Sequence, residues 1–304
     1  MSSYAARLRD DAFVIFLLHG VIRQQRHTIR NYTRKHLPLV DFVAFLRDVT
    51  HVGTAVSMDE VVAASIDPHV KKELPKRAFA VTFDDGFENN ASVAAPVLDD
   101  LGIPATFYIT TGFVGSRSRS WTDEIEAVLE STGGIRLSGF ADDIDGYYVS
   151  ASEKIALMDR IRAYVKSTPA IDPYQFAASV AEAAGSQGGP FDRDLDAKVE
   201  WDQVRQLAGH PLFAVGGHSH THRTLSFLSD ADLENEVSTS IDLLTEGTKK
   251  KIIHYSYPEG MAHCYSPAVI AALKRHGVVC APTAEDGTNK AGDDLFHLKR
   301  VFVV

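Results

Sequence analysis

An α/β chain built on parallel strands is what this sequence predicts, and three observations carry the prediction. Short, continuously apolar runs such as Phe13-Val14-Ile15-Phe16-Leu17-Leu18 read as strands buried on both faces. These runs alternate with segments of helical periodicity, and repeated strand–helix–strand order implies parallel pairing, hence an open doubly wound sheet or a barrel. Polar clusters follow two of the runs directly, at the strand ends where the sites of such sheets gather.

Taken in order, the strand at 13–18 is followed by Leu39, Phe42, Phe45, Leu46 and Val49 at helical spacing, and Ser57 with Glu60 forms a capping-box signature for a second helix. Phe79-Ala80-Val81 leads into Thr82-Phe83-Asp84-Asp85-Gly86. A helix is expected near 90–101, stopped by Gly102, before the strand Ala105-Thr106-Phe107-Tyr108-Ile109-Thr110. Residues from about 115 to 200 break the rhythm. They are richer in charge and glycine, with a helix near 152–166 (Ile155, Met158, Ile161, Val165) and the breaker run Gly185-Ser186-Gln187-Gly188-Gly189-Pro190. The alternation resumes with a helix near 201–208, the strand Leu212-Phe213-Ala214-Val215 and a long helix opened by Ser229, with Leu233, Val237, Ile241 and Leu244 along it. A strand over Ile252 to Tyr257 follows. Ser266 and Pro267 then open a helix that runs to Gly277, ahead of Val278-Val279-Cys280 and a last strand near 298–304. The basic run Lys249-Lys250-Lys251 reads as a solvated helix end.

The 304 residues, 45% hydrophobic, suffice for a substantial core. A formal net charge of -9 argues against a broad electrostatic footprint for nucleic acid or for an anionic membrane surface. Cys264 and Cys280, the only cysteines, are expected as free thiols. The first apolar run stops at His19 and is too short to span a membrane; no later run is longer. No stable membrane insertion is expected, and a cytoplasmic location is.

Asp84 and Asp85 at one strand end, with His218 and His222 after the run Ala214-Val215-Gly216-Gly217, offer a carboxylate and two imidazoles to a divalent metal, plus a spare carboxylate to act as base. Two imidazoles four residues apart face one point on a helix or in a tight turn. Two adjacent carboxylates repel, and a cation beside them relieves that cost. The combination points to hydrolysis.

These residues resemble the polysaccharide deacetylases of the NodB-homology type, carbohydrate esterase family 4. Thr82-Phe83-Asp84-Asp85-Gly86 is similar to the family's first motif, and His218-Ser219 with His222 matches its second. Gly102-Ile103-Pro104-Ala105-Thr106-Phe107-Tyr108 and Ser256-Tyr257-Pro258-Glu259-Gly260 resemble later segments. The likeness covers about 13–113 and 200–304. It implies a distorted (β/α) barrel of about seven parallel strands, one domain over 1–304, with the 115–200 insertion over or beside the rim.

By that resemblance Asp85, His218 and His222 are the metal ligands, Asp84 is the catalytic base, and the backbone N–H of Glu259 helps hold the oxyanion. The implied ion is zinc, with cobalt, nickel or iron as alternatives. The family's late Leu-x-His is missing from Phe296-His297-Leu298-Lys299-Arg300, so His19, in Leu17-Leu18-His19-Gly20-Val21, is the expected general acid, with His263 and His297 as runners-up. The arginine that usually opens the third motif is also missing, and Arg300 is its candidate replacement. Tyr257, Pro258 and Trp121 are assigned to the sugar, with Trp201 as a further aromatic; His220 is left out of the metal site. The expected reaction is metal-dependent removal of an N-acetyl group from an amino sugar, on a cytoplasmic glycan precursor. The alternatives are an O-acetyl esterase, a ureido or formyl amide hydrolase, and a carbohydrate-binding protein without turnover.

Overall fold

The computed structural model describes residues 3–66, 73–186 and 188–304. In chain order its strands and helices begin with β1 (Val14–Leu18), β2 (Gly20–Ile22), β3 (His36–Pro38), α1 (Leu39–Val52), β4 (Thr54–Ala55) and α2 (Met58–Ile66). Next come β5 (Ala78–Phe83), α3 (Ala95–Asp100), β6 (Ala105–Ile109), α4 (Trp121–Ser131), β7 (Ile135–Leu137) and β8 (Gly146–Tyr148). The chain continues with α5 (Ala151–Ser167), α6 (Pro173–Ala183), α7 (Arg193–Asp196), α8 (Trp201–Gly209) and β9 (Phe213–Gly217), and closes with α9 (Asp230–Thr248), α10 (Pro267–Arg275) and β10 (Val301–Phe302). They divide into two compact units, one of Met1–Gln24, His36–Ser116 and Ala197–Val304, the other of Gln25–Lys35 and Arg117–Asp196.

The first unit holds a six-stranded sheet in the order β10-β1-β5-β6-β9, with β4 pairing β5 beyond this path. Every pairing in it is parallel. Each residue of β1, β5 and β6 is buried, which is why these strands read as unbroken apolar runs. Alternate residues divide between two cores. Val14, Phe16, Leu18, Phe79, Val81, Phe83, Phe107 and Ile109 pack with Phe42, Leu46 and Val49 of α1, Leu98 of α3 and Ile241 of α9. Ile15 and Ala80 face the other way, toward Val61 and Leu298.

Local signals place the helix starts. Ser57 and Glu60 make the reciprocal bonds of a capping box ahead of α2, while Ser229 and Ser266 cap α9 and α10. The helix expected near 90–101 opens instead as a π-helical turn, Asn90–Ala94, before α3. Pro96 has no N–H for the normal i→i−4 bond, and Ala95 N–H reaches back to Asn90 O. Gly102 stops the helix with φ +64°.

Three expected strands are shorter than the sequence suggests. Residues 252–257 and 278–280 pair only through single bridges, Gly217 with Tyr255 and His254 with Cys280, while the final strand is reduced to Val301–Phe302. Pairing alternates sides along this stretch: Gly217 N–H bonds His254 O and Ser256 N–H bonds Gly217 O, but Tyr255 N–H turns to Cys280 O.

The second unit is helical, with an antiparallel β7–β8 hairpin. Its core joins Trp121, Ile125 and Leu129 of α4 to Leu157, Met158 and Ile161 of α5, and to Phe176 and Val180 of α6. The sequence reading found only α5 here. Helix α4 begins at the Ser120 cap and α6 at the Asp172 cap with Pro173 in its first turn, signals that sit inside the stretch read as a break in the rhythm.

Gly216 in β9 has no room for a side chain. A Cβ there would lie 2.6 Å from a Tyr108 ring carbon and 2.7 Å from the backbone oxygen of His254, which cannot swing away. Gly216→Ala is therefore expected to destabilise the protein by about 1–3 kcal/mol, read as a lower urea midpoint at an unchanged m-value.

Candidate metal centre

The parallel register brings the ends of β1, β5 and β9 to one edge. His19 follows β1, Asp84 follows β5 and His218 follows β9. Asp84 N–H extends the ladder to Leu18 O, and His218 N–H extends it to Ile109 O. At Asp85 (φ 75°) and Gly86 (φ 78°) the backbone then enters the left-handed region. The neighbouring carboxylates consequently meet different partners.

The His218–His222 segment is a tight turn with no helix. Ser219 (φ 62°) donates its N–H to the Tyr255 hydroxyl, and its Oγ accepts the N–H of His222 (φ 59°). Buried Glu236, on α9, accepts the N–H groups of His220 and Thr221 and the Thr221 hydroxyl. One carboxylate thus satisfies three donors of a turn that has no helical bonds of its own. His220 Nδ1 pairs with the Thr111 hydroxyl at 3.0 Å, which takes the ring out of the cluster.

The two histidines that remain converge on Asp85. His218 Nε2 lies 3.4 Å and His222 Nε2 3.1 Å from Asp85 Oδ1. One ligand atom from each of the three residues lies within 4.8 Å of the others, the one such grouping of potential metal ligands among the described residues. A tetrahedral ion with bonds of about 2.0–2.1 Å needs donors about 3.3 Å apart, and both histidine distances to Asp85 Oδ1 lie near that value. His218 is aimed by its Nδ1, which bonds Ser256 O at 2.9 Å. Burial pulls the His218 pKa down, but Asp84 and Asp85 outweigh it and the net shift is upward. The carboxylates that favour a proton there would favour a dication in its place.

Asp84 is held by Arg300. Arg300 Nη1 reaches Asp84 Oδ1 at 2.9 Å and Nη2 reaches Oδ2 at 2.8 Å, a bidentate pair in which both side chains are buried. Ser256 Oγ donates to Asp84 Oδ2 at 3.2 Å and accepts from Arg300 Nη2. Burial pushes the Asp84 carboxyl up, yet the Arg300 guanidinium and then His218 pull it further down, below the ordinary carboxylate value. Asp84 is therefore ionised and pinned. Arg300, the candidate replacement for the missing third-motif arginine, thus contacts both Asp84 oxygens.

His19 neighbours this group through the β1–β5 register that sets Leu18 opposite Phe83, and its charge acts on Asp84. Its ring stands edge-on to Phe302 at 5.3 Å. His263 stacks on Phe227 and His297 pairs with Asp294, so neither recorded partner belongs to the cluster. Glu259 sits three residues past Ser256 with φ 62°, and Pro258 beside it is buried.

The three residues assigned to the sugar, Tyr257, Pro258 and Trp121, are all buried. Tyr257 is fully buried, stacked on Tyr265 at 4.6 Å, with its hydroxyl spent on Phe296 O. Trp121 is 3% exposed, inside the core of the helical unit. Large aromatic surface contributes most when desolvated, and both rings are used that way here. Ser256 was missed by the sequence reading, since a serine in a strand-like run gives no signal of the two groups that it joins.

A polysaccharide deacetylase family model matches residues 71–137 and 169–281, more than half of the chain. The chain belongs to the polysaccharide deacetylase family. No curated protein matches this deacetylase-family chain in sequence. Among solved structures it is similar to IcaB from Ammonifex degensii (18% identity, TM-score 0.62, 98% of this chain and 94% of that one). It is also similar to the Streptococcus pyogenes deacetylase PplD in complex with acetate (16%, 0.60, 96% and 92%) and to the BpsB deacetylase domain from Bordetella bronchiseptica (19%, 0.57, 97% and 97%). At these identities the likeness establishes the fold.

Arg300→Met is expected to cost about 3–5 kcal/mol, because it leaves Asp84 charged and buried without its partner. Adding Asp84→Asn should recover part of that loss. A double-mutant cycle by chemical denaturation measures the coupling.

Proposed function

We propose that this member of the polysaccharide deacetylase family hydrolyses the N-acetyl group of an amino sugar in a glycan or glycan precursor, releasing acetate, with one divalent ion, zinc in the first place. The observation that carries the reading is the division of labour at the strand ends: a three-donor Asp85–His218–His222 set beside a separately clamped, ionised Asp84. Asp85, His218 and His222 would hold the ion, which when bound supplies Lewis acidity toward the acetyl carbonyl and lowers the pKa of water. Asp84 takes the proton from the attacking water. Because Arg300 and Ser256 fix both of its oxygens, the carboxylate is oriented before substrate arrives.

The amide assignment rests on His19. An amide nitrogen leaves only after protonation, whereas an alkoxide from an ester depends on it less. His19 stands at the end of the strand next to Asp84, on hand to give that proton. The backbone N–H of Glu259 donates to the developing oxyanion. We also propose that the parallel sheet closes as a distorted barrel around this centre, which the bridges at Tyr255 and Cys280 and the bond from Arg300 N–H to Glu285 O support.

The test is acetate release from N-acetylated oligosaccharides beside O-acetylated xylan, with zinc content measured on the same protein. Release from the N-acetyl substrate is expected, and Asp84→Asn should reduce it by about 10²–10⁴-fold. Hydrolysis confined to the O-acetyl substrate would reject the amide assignment. An Asp84→Asn protein as fast as wild type would reject the assigned base.

A further inference from the structure

The two imidazoles of the centre are supported differently. His218 is aimed by a hydrogen bond from its second ring nitrogen to Ser256 O. His222 Nδ1 is buried and has no hydrogen-bond partner among the described residues. A metal-ligating histidine nearly always has such a partner, which fixes its ring and tautomer. Among the described residues, two rings lie against that of His222: His218, the other proposed ligand, at 5.0 Å, and Phe113, near-parallel at 22° with centroids 6.2 Å apart, within the range of offset stacking.

Phe113 is itself part of a cation–π arrangement. The Lys198 ammonium lies 3.5 Å from the Phe87 ring centroid and 5.1 Å from that of Phe113. Lys198 is only 4% exposed, so its charge is held beside aromatic faces and away from water. The backbone fixes it there. Val199 N–H bonds Gly86 O, Glu88 N–H bonds Ala197 O, and Gly115 N–H bonds Val199 O, so residues 197–199 lie between the Asp84-Asp85-Gly86 turn and the Phe113 segment. Phe87 is further covered edge-on by His36, with centroids 4.4 Å apart.

We propose that Phe113, steadied by Lys198, is the positioning residue for His222, doing by ring stacking what Ser256 O does for His218 by a hydrogen bond. This rests on the assignment of Asp85, His218 and His222 as the ligand set. Three consequences follow from the chemistry. The orientation of His222 depends on ring contact and not on its Nδ1 proton. His222 lacks the added basicity that an Nδ1–H···O bond confers, and is the weaker of the two imidazole donors. Lys198, whose motif context carries no catalytic signal, acts on His222 through Phe113.

The experiment is Co²⁺ and Zn²⁺ titration of the full chain by calorimetry and by the visible spectrum of the cobalt form, which reports ligand geometry independently of turnover. Phe113→Leu is expected to weaken Co²⁺ affinity by about 10–100-fold, the range for losing the support of a ligand, and to alter the cobalt spectrum. Phe113→Tyr, which keeps the ring, should retain both. Lys198→Met should weaken binding less than Phe113→Leu, and Lys198→Arg should restore it. Wild-type affinity and spectrum in Phe113→Leu would overturn the proposal. Should Phe113→Leu not fold, unchanged affinity in Lys198→Met overturns it instead. If the wild-type chain itself takes up no Co²⁺ or Zn²⁺, the ligand assignment fails, a result separate from loss or retention in the variants.

Discussion

A buried ion pair joins two distant segments of the first unit: Asp84, after β5, and Arg300, before β10, 216 residues apart in sequence. Two charges withdrawn from water repay that cost only if every lone pair and N–H finds a partner. Here the Arg300 N–H groups left over from the carboxylate go to Ser256 Oγ, the Thr82 hydroxyl and Thr283 O, the last accepting from Arg300 Nε. The β1–β5 and β1–β10 pairings must both be in register for this network to exist. Sheet order and site chemistry are thus one constraint.

Around that pair the backbone takes conformations that L-residues seldom adopt. Asp85, Ser219, His222 and Glu259 have positive φ, and each belongs to a motif singled out by its side-chain chemistry. Left-handed non-glycine residues persist only where their surroundings over-determine them. Glu236, Tyr255 and the Ser219 hydroxyl supply that determination for the His218–His222 turn. Strain and support together allow adjacent aspartates to meet separate partners, and allow histidines four residues apart to meet without a helix.

That both aspartates belong to the candidate site was legible early, because Asp-Asp-Gly after one apolar run is joined by a spaced histidine pair after another; the division between them was implied only by the family resemblance. The aromatic assignments were not legible. Tyr257 and Trp121 look the same in sequence whether they face a sugar or a core, since burial of a ring depends on what packs against it. The short helices α4 and α6 escaped for a related reason: their apolar stripes complete a core only with each other and with α5. The expected strand over 252–257 failed because its residues alternate between two partners, which no local pattern encodes.

By itself the sequence determined the parallel α/β class, the caps of α2, α9 and α10 and the candidate site residues, because these follow from hydrophobic period, turn chemistry and the motifs that resemble the family's. Only the tertiary structure decided which carboxylate meets the histidines and which meets Arg300, that Ser256 bridges them, and that His222 leans on Phe113. Those outcomes depend on the relative depth of strands far apart in the chain, and a shift of one residue in a parallel pairing turns each side chain to the opposite face.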